Sequence, residues 1–262
     1  MVFLSWNILH GGGPERIPEI ALFLVRHAPD VVVLSEFRAA RGGQIRGVLA
    51  DHGLIHQAAS HGPDRANGVL IAAREPIRPT GVQGRPDGRF LDAYLPESDL
   101  HITGVHVPDD SDPGGKAFHW QRLVGLGHER LGQHAVIIGD LNTGRRGQDA
   151  ASGCFACEAL MGTLASLGWV DAWRHLNPGV REATWVAPWG EGRRIDAAWL
   201  SPSLAERLES ATHLHEAREK RVSDHSALLV RLSPEGAADQ NGEISRGIPR
   251  SAEETGKKTP EL

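Results

Sequence analysis

The sequence predicts an α/β fold in which two sheets, neither purely parallel, pack face to face with helices outside. Three observations carry this expectation. Runs such as Val31-Val32-Val33-Leu34 and Val136-Ile137-Ile138 are short and continuously apolar, as strands buried on both faces must be. Segments with apolar residues at helical spacing lie between such runs. Phe90 to Leu95 and Leu100 to Val107 flank the polar turn Pro96-Glu97-Ser98-Asp99, so some neighbouring strands are antiparallel.

Taken in order, Val2 to Ile8 reads as the first strand, interrupted near its end by the polar Asn7. Gly11-Gly12-Gly13 follows without the Gly-Lys-Ser/Thr of a phosphate-binding loop, so it reads as a connection. Pro14 to His27 carries Ile17, Ile20, Ala21 and Leu24 on one helical face, with Pro14 suited to a first turn. Val31 to Leu34 is a buried strand that runs into Ser35-Glu36. A carboxylate there needs a partner or a cation, and Arg38 is the partner the sequence offers. Gly43 to His52 reads as a helix, and Leu54 to Ala59 and Asn67 to Ala73 as strands joined by a polar loop.

The strand from Leu100 ends in His106. Lys116 to Gln133 reads as a helix with Phe118, Leu123, Leu126 and Leu131 on one side. Val136 to Gly144, VIIGDLNTG, is a buried strand that stops in polar groups. Alternation turns Asp140 and Asn142 the same way and Leu141 the other. Such groups at a strand's carboxyl end suit a phosphate or a hard cation, and a plain turn is the competing reading. An Arg- and Gly-rich loop, 144–153, follows. Cys154 to Leu167 reads as a helix, with its two cysteines, Cys154 and Cys157, packed i, i+3. Trp169 to Trp173 and Thr184-Trp185 read as extended. Ile195 to Ser201 is a strand, with Asp196 and Ala198 facing away from Ala197 and Trp199. Ser223-Asp224-His225 leads into the last strand, Ser226 to Leu232.

Composition sets the bounds. The chain has 262 residues, 40% of them hydrophobic, enough for one large core. Residues 1–232 read as that domain. Beyond Leu232 the sequence has no aromatic and few aliphatic residues, and it reads as a disordered tail over 233–262. Formal charge is −5, so no global basic field draws the chain to nucleic acid. A structural zinc site normally needs four ligands, and Cys154 and Cys157 have no second cysteine pair to complete one. Few cysteines, no signal peptide and no membrane span point to a cytoplasmic protein.

Collected along the chain, the strand-end polar groups are Asn7, Glu36, His106, Asp140, Asn142, Asp196, Asp224 and His225. Each alone is a common turn or core residue, but eight at corresponding positions form a pattern. Their order, N…E…GDLN…RID…SDH, resembles the endonuclease/exonuclease/phosphatase superfamily. Within it, SWN, LSEFR, NGVLIA, GVHVP, GDLNTG, GWVDAWRHLNP, ATW, RIDAAWLSPSL and SDHSALLV are most similar to exonuclease III and its abasic-site endonuclease relatives, over roughly residues 2 to 232.

The resemblance implies a four-layer α/β sandwich of two packed mixed sheets flanked by helices. It implies a metal-dependent phosphodiesterase, acting on DNA by direct attack of water and working as a monomer. Glu36 would bind the divalent cation, Mg²⁺ with Mn²⁺ as the alternative, with Asn7 and Asp224 close by. Asp140 would orient or deprotonate the water, Asn142 would hold the phosphate, and Asp196 would support His225 against it. His106 stands where the exonuclease branch has a tyrosine and other branches a histidine, which keeps RNA and small or lipid phosphoesters open as substrates. Arg145, Arg146, Arg193 and Arg194 are candidate phosphate contacts, and Trp185 and Trp189 candidate stacking residues. A reading of another class, a binding module without turnover, would be expected to lack the catalytic acids.

Overall fold

The computed structural model describes residues 1–62, 66–81 and 87–234. Its main frame is two six-stranded sheets. In the first, the strand order is Leu208–Leu214, Ala227–Leu232, Val2–Asn7, Val31–Phe37, Gly68–Ala73 and His56–Ala59. In the second it is Arg78–Pro79, Phe90–Leu95, Leu100–His106, His134–Asp140, Asp196–Leu200 and Val170–Asp171. Each sheet is mixed. Val2–Asn7 runs parallel to Val31–Phe37, Leu100–His106 runs parallel to His134–Asp140, and the other pairs are antiparallel.

Side-chain alternation builds the layers. Val31, Val33, Val69 and Ile71 of the first sheet meet Ile102, Val136, Ile138 and Ala198 of the second in the central core. Their neighbours in sequence point outward. Leu4, Trp6, Val32 and Leu34 pack on Ile20, Leu24, Ile45 and Leu49 of the helices Ile17–Arg26 and Gly43–Asp51. Ala135, Ile137, Ala197 and Trp199 pack on Trp120, Leu123, Leu126, Met161 and Leu164 of Pro113–Glu129 and Glu158–Ser166. Strands covered on both faces explain the continuous apolar runs, and the result is the expected four-layer sandwich. The sheets approach closely at Gly104, where a Cβ would stand 2.8 Å from Val69 Cγ1 and 2.9 Å from Val33 Cγ1.

Several local expectations are corrected. The third long helix spans Pro113–Glu129, with Asp112 accepting a hydrogen bond from the Gly115 backbone N–H at its start. Its buried side carries Trp120 in place of Phe118, and both Phe118 and Leu131 are exposed. Cys154 is exposed and lies ahead of the next helix, while Cys157, at φ 67°, precedes its first residue. The two cysteines therefore do not pack together within a helix. Trp169 to Trp173 is only briefly extended. Asp171 accepts from the Arg174 N–H and starts the short helix Ala172–Leu176. The edge strand Leu208–Leu214 was not anticipated, because its inward side is supplied by small and polar residues such as Ala211 and His213.

The tail expected from residue 233 lies, apart from Ser233 and Pro234, outside the described residues. Among the described residues no helix is long and apolar enough to cross a membrane.

Candidate active site

Strand direction gathers the polar strand ends. Val2–Asn7, Val31–Phe37, Leu100–His106 and His134–Asp140 reach one edge with their carboxyl ends. Asp196–Leu200 and Ala227–Leu232 run against their neighbours, so they bring their amino ends to it. In the ladder Asp140 stands between His106 and Asp196. A cleft of about 570 Å³ opens there, lined by Glu36, His106, Asp140, Asn142, Trp185, Asp224 and His225 among others. Asn7 and Asp196 are buried beneath it.

Asp140 is the hub. Its Oδ2 accepts from Asn7 Nδ2 at 3.0 Å, and Oδ1 accepts from the Asn142 backbone N–H at 3.0 Å. Asn7 Nδ2 also lies 3.3 Å from Glu36 Oε1, so one amide bridges the two carboxylates across the sheets. His225 Nε2 stands 3.9 Å and His106 Nε2 3.7 Å from Asp140 Oδ2. On its far side His225 Nδ1 lies 2.9 Å from Asp196 Oδ2. The strand leading into Asp140 needs a glycine before it: Gly139 has φ 147°, and a Cβ there would stand 2.0 Å from Val105 O.

Electrostatics divide these groups. Burial and the Arg89 guanidinium, 3.3 Å from the ring, hold His106 well below the usual imidazole value, so it is neutral. Burial pulls His225 down, but Asp196 and Asp140 outweigh it and push the ring up to about 10. Burial also pushes Asp140 up, supported by Asp196 and opposed by His225 and the Asn7 amide. A proton acceptor thus faces an imidazolium across a cleft, which is the equipment for activating water and neutralising an oxyanion.

Thr184 ties the pair together. Its Oγ1 accepts from the backbone N–H groups of Ile195 and Asp196, and its carbonyl accepts from Ser226 N–H. Trp6 Nε1 donates to His225 O.

Glu36 reaches the cleft by a β-bulge. The register between Val31–Phe37 and Gly68–Ala73 shifts between Ser35 and Phe37, and Glu36 has φ 56°. That conformation favours glycine, and it breaks the strand's alternation at the residue that must turn. Arg38 is not its partner: Arg38 Nε donates to Asn67 Oδ1 at 2.8 Å.

The substrate-side expectations divide. Trp185 lines the cleft, its Nε1 3.2 Å from Asp224 Oδ2. Asp224 itself is exposed at the rim. Trp189 is exposed on the turn between Trp185–Val186 and Gly192–Arg193. Arg194 is corrected: it is buried, bonded to Asp149 and Asp171, and it braces the fold. Its neighbour Arg193 lines the cleft instead. Arg145 lines a separate depression with Trp169 and Arg174. Arg146 is exposed, its N–H on Glu158, and does not line the cleft. Sequence reasoning did not identify His10, Asn67 and Arg89 as cleft residues. Strand alternation carried no signal for His10 and Arg89, which lie in connections, and the strand expected from Asn67 begins at Gly68, which leaves Asn67 just ahead of it.

The donor set fits a hard divalent cation. Glu36 and Asp140 are buried carboxylates with no Lys or Arg within ion-pair distance among the described residues. Three buried carboxylates, Glu36, Asp140 and Asp196, share one imidazolium, His225. Buried charge left unneutralised is costly, and oxygen ligands suit Mg²⁺ or Mn²⁺. Asp140, Asp196 and His225 also bring ligand-type atoms within 4.8 Å of one another. There, however, Asp196 is engaged by the His225 ring, so the set reads better as a hydrogen-bonded pair beside an acid than as a cation cage.

Comparison with known proteins agrees with this geometry. Residues 4–225 match the Endonuclease/Exonuclease/phosphatase family. No curated protein matches the sequence significantly. Among solved structures, a 3′ phosphatase from Neisseria bound to product DNA hairpin is similar with a TM-score of 0.75 at 22% identity, covering 89% of this chain and 100% of the other. An AP endonuclease from Archaeoglobus fulgidus gives the same values. An AP endonuclease from Leishmania major gives a TM-score of 0.71 at 16% identity, with 89% and 88% covered. With this fold, this cleft and a match spanning most of its length, the chain belongs to the Endonuclease/Exonuclease/phosphatase family and is a hydrolase of its phosphodiesterase and nuclease class.

Proposed function

We propose that the chain is a DNA phosphodiesterase that uses Mg²⁺, with Mn²⁺ as the alternative, and hydrolyses its substrate by direct attack of water. The observation that carries this is Asp140, held by Asn7 and Asn142 and facing the Asp196–His225 pair across one cleft. Asp140 orients the water and accepts its proton. His225, cationic and fixed by Asp196, donates to the phosphate oxygen that gains charge. Neutral His106 and the Asn142 amide border the phosphate, although Asn142 Nδ2 also donates to Val107 O at 2.9 Å. Glu36 holds the cation, with Asn7 beside it and Asp224 at the rim. When bound, the cation supplies Lewis-acid stabilisation of the phosphate charge.

Arg193 and Trp185 are the substrate contacts we favour, one for a backbone phosphate and one for a base or sugar. The product DNA hairpin bound by the Neisseria relative supports nucleic acid as the substrate class. We further propose a catalytic unit over residues 1–232, cytoplasmic in keeping with its few cysteines and monomeric as the family resemblance implies. A second reading keeps the chemistry and changes the substrate: His106 favours RNA or a small or lipid phosphoester, and Asp109 and Asp112, which line the cleft and repel a polyanion, favour the small ester over either nucleic acid.

The test is cleavage of abasic duplex, plain duplex, single strands, RNA and a chromogenic phosphodiester with Mg²⁺, Mn²⁺ or chelator. Metal-dependent cleavage of DNA is expected. Cleavage confined to the small ester removes the DNA reading, and no cleavage of any substrate favours a binding module.

A further inference from the structure

The Glu36 carboxylate is saturated on one oxygen and open on the other. Oε2 accepts from the His10 backbone N–H at 2.6 Å and from Asn67 Nδ2 at 2.9 Å, and His10 Nδ1 stands 2.8 Å away. Among the described residues Oε1 has only the Asn7 amide at 3.3 Å and His106 Nε2 at 3.9 Å. The Asn7 amide also reaches Asp140, so Oε1 is the oxygen on the Asp140 side.

The chain adopts an uncommon backbone to achieve this. Leu9, His10, Gly11, Gly12 and Gly13 have φ of 52°, 55°, 74°, 81° and 71°. Gly12 N–H donates to Leu9 O at 3.1 Å, closing a left-handed turn. Glycine accepts that conformation, but Leu9 and His10 adopt it against the steric preference of L-residues. The turn is packed in place: a Cβ on Gly11 would stand 2.9 Å from Arg38 Cβ, and one on Gly12 2.6 Å from Ile20 Cδ1. Arg38 then holds Asn67 by its side-chain oxygen, which turns Asn67 Nδ2 toward Glu36. Strain of this kind persists where the surroundings over-determine it, and it clusters at functional sites. Here three left-handed residues, Leu9, His10 and Glu36, serve one carboxylate.

We propose that His10 and Asn67 are positioning residues for the catalytic cation: by occupying Oε2 they make Glu36 a one-oxygen ligand, with Oε1 aimed into the cleft. This rests on the reading of Glu36 as the cation's ligand. Groups that orient metal-binding carboxylates typically change affinity by about 10–100-fold when removed.

The test is Mn²⁺ binding, read from the electron paramagnetic resonance signal of free Mn²⁺ during titration of the metal-stripped full chain. Wild type, His10→Ala, His10→Asn, Asn67→Ala and Glu36→Gln are compared, with thermal unfolding to report folding. His10→Ala and Asn67→Ala are expected to weaken Mn²⁺ binding about tenfold or more. Turnover lost at low Mn²⁺ should return as Mn²⁺ is raised. His10→Asn, which tolerates the left-handed backbone and restores a donor, should regain part of the affinity. If His10→Ala does not fold, Asn67→Ala decides alone. Folded variants that bind Mn²⁺ as tightly as wild type overturn the proposal. Weakened binding in the variants, from a wild type that spares every DNA substrate, supports the clamp and overturns only the DNA reading.

Discussion

His225 Nδ1 lies 2.9 Å from Asp196 Oδ2, while Nε2 on the other side of the ring stands 3.9 Å from Asp140 Oδ2. One imidazole is thus anchored by one carboxylate and presented to another. The anchor fixes the tautomer, and both acids favour the cation. Removing either reacting group should abolish most turnover without unfolding the chain. For Asp140→Ala and His225→Ala we expect kcat to fall by about 10²–10⁴-fold. Asp196→Asn should fall within a similar range, through loss of orientation. Steady-state kinetics beside circular dichroism would check this, and wild-type-like metal-dependent hydrolysis by Asp140→Ala or His225→Ala would defeat the assignment.

Asp140 is pushed up by burial and by Asp196. A cation bound in the same cleft favours its ionised form, so binding must expel the proton that Asp140 holds. Proton release on adding Mg²⁺ should therefore be larger at pH 6 than at pH 8, where the acid is already ionised. Calorimetric titration in buffers of different ionisation enthalpy measures it. Equal release at both pH values, or its persistence in Asp140→Asn, would refute this account.

Arg193 and Arg194 are neighbours with opposite fates. Arg193 lines the cleft, whereas Arg194 is buried between Asp149 and Asp171. Arg193→Ala should raise KM for a DNA substrate several-fold with little change in stability. Arg194→Ala leaves two buried carboxylates short of a partner and should cost about 3–5 kcal/mol of stability. Denaturant unfolding and substrate titration of the two variants would separate these effects, and a reversed pattern would show that the side-chain assignment is wrong.

Asp149 receives Arg194 Nε at 2.7 Å and Arg174 Nη2 at 2.6 Å. Burial pushes its carboxyl up, but the two guanidiniums outweigh burial and leave it below the ordinary value of 3.8. A carboxyl depressed in the folded state contributes stability above its unfolded value and loses it as pH falls through the folded one. Wild type should therefore lose stability on acidification below about pH 4, and Asp149→Asn, already weaker at pH 7, should lose less over that range. Unfolding midpoints at pH 7, 4 and 3 test this, and parallel curves for the two proteins would count against it.

By itself the sequence determined the layers and the nearness of most of the candidate site residues. Val31 to Leu34 and Val136 to Ile138 are apolar on both faces, which forces helices onto both sides of a sheet. Asn7, Glu36, His106, Asp140, Asp196 and His225 close or open such runs, so their nearness could be read from strand ends alone. Only the tertiary structure decided what local periodicity does not encode. Which of Arg193 and Arg194 faces the cleft depends on Asp149 and Asp171, each more than twenty residues away from Arg194. Whether Arg38 meets Glu36 depends on Asn67 standing between them. His10 reaches the cleft only because a left-handed turn, packed on Ile20 and Arg38, folds back over a bulged strand. Strand patterning follows from side chains alternating along one segment, whereas these choices are settled by packing and hydrogen bonds between segments far apart in the chain.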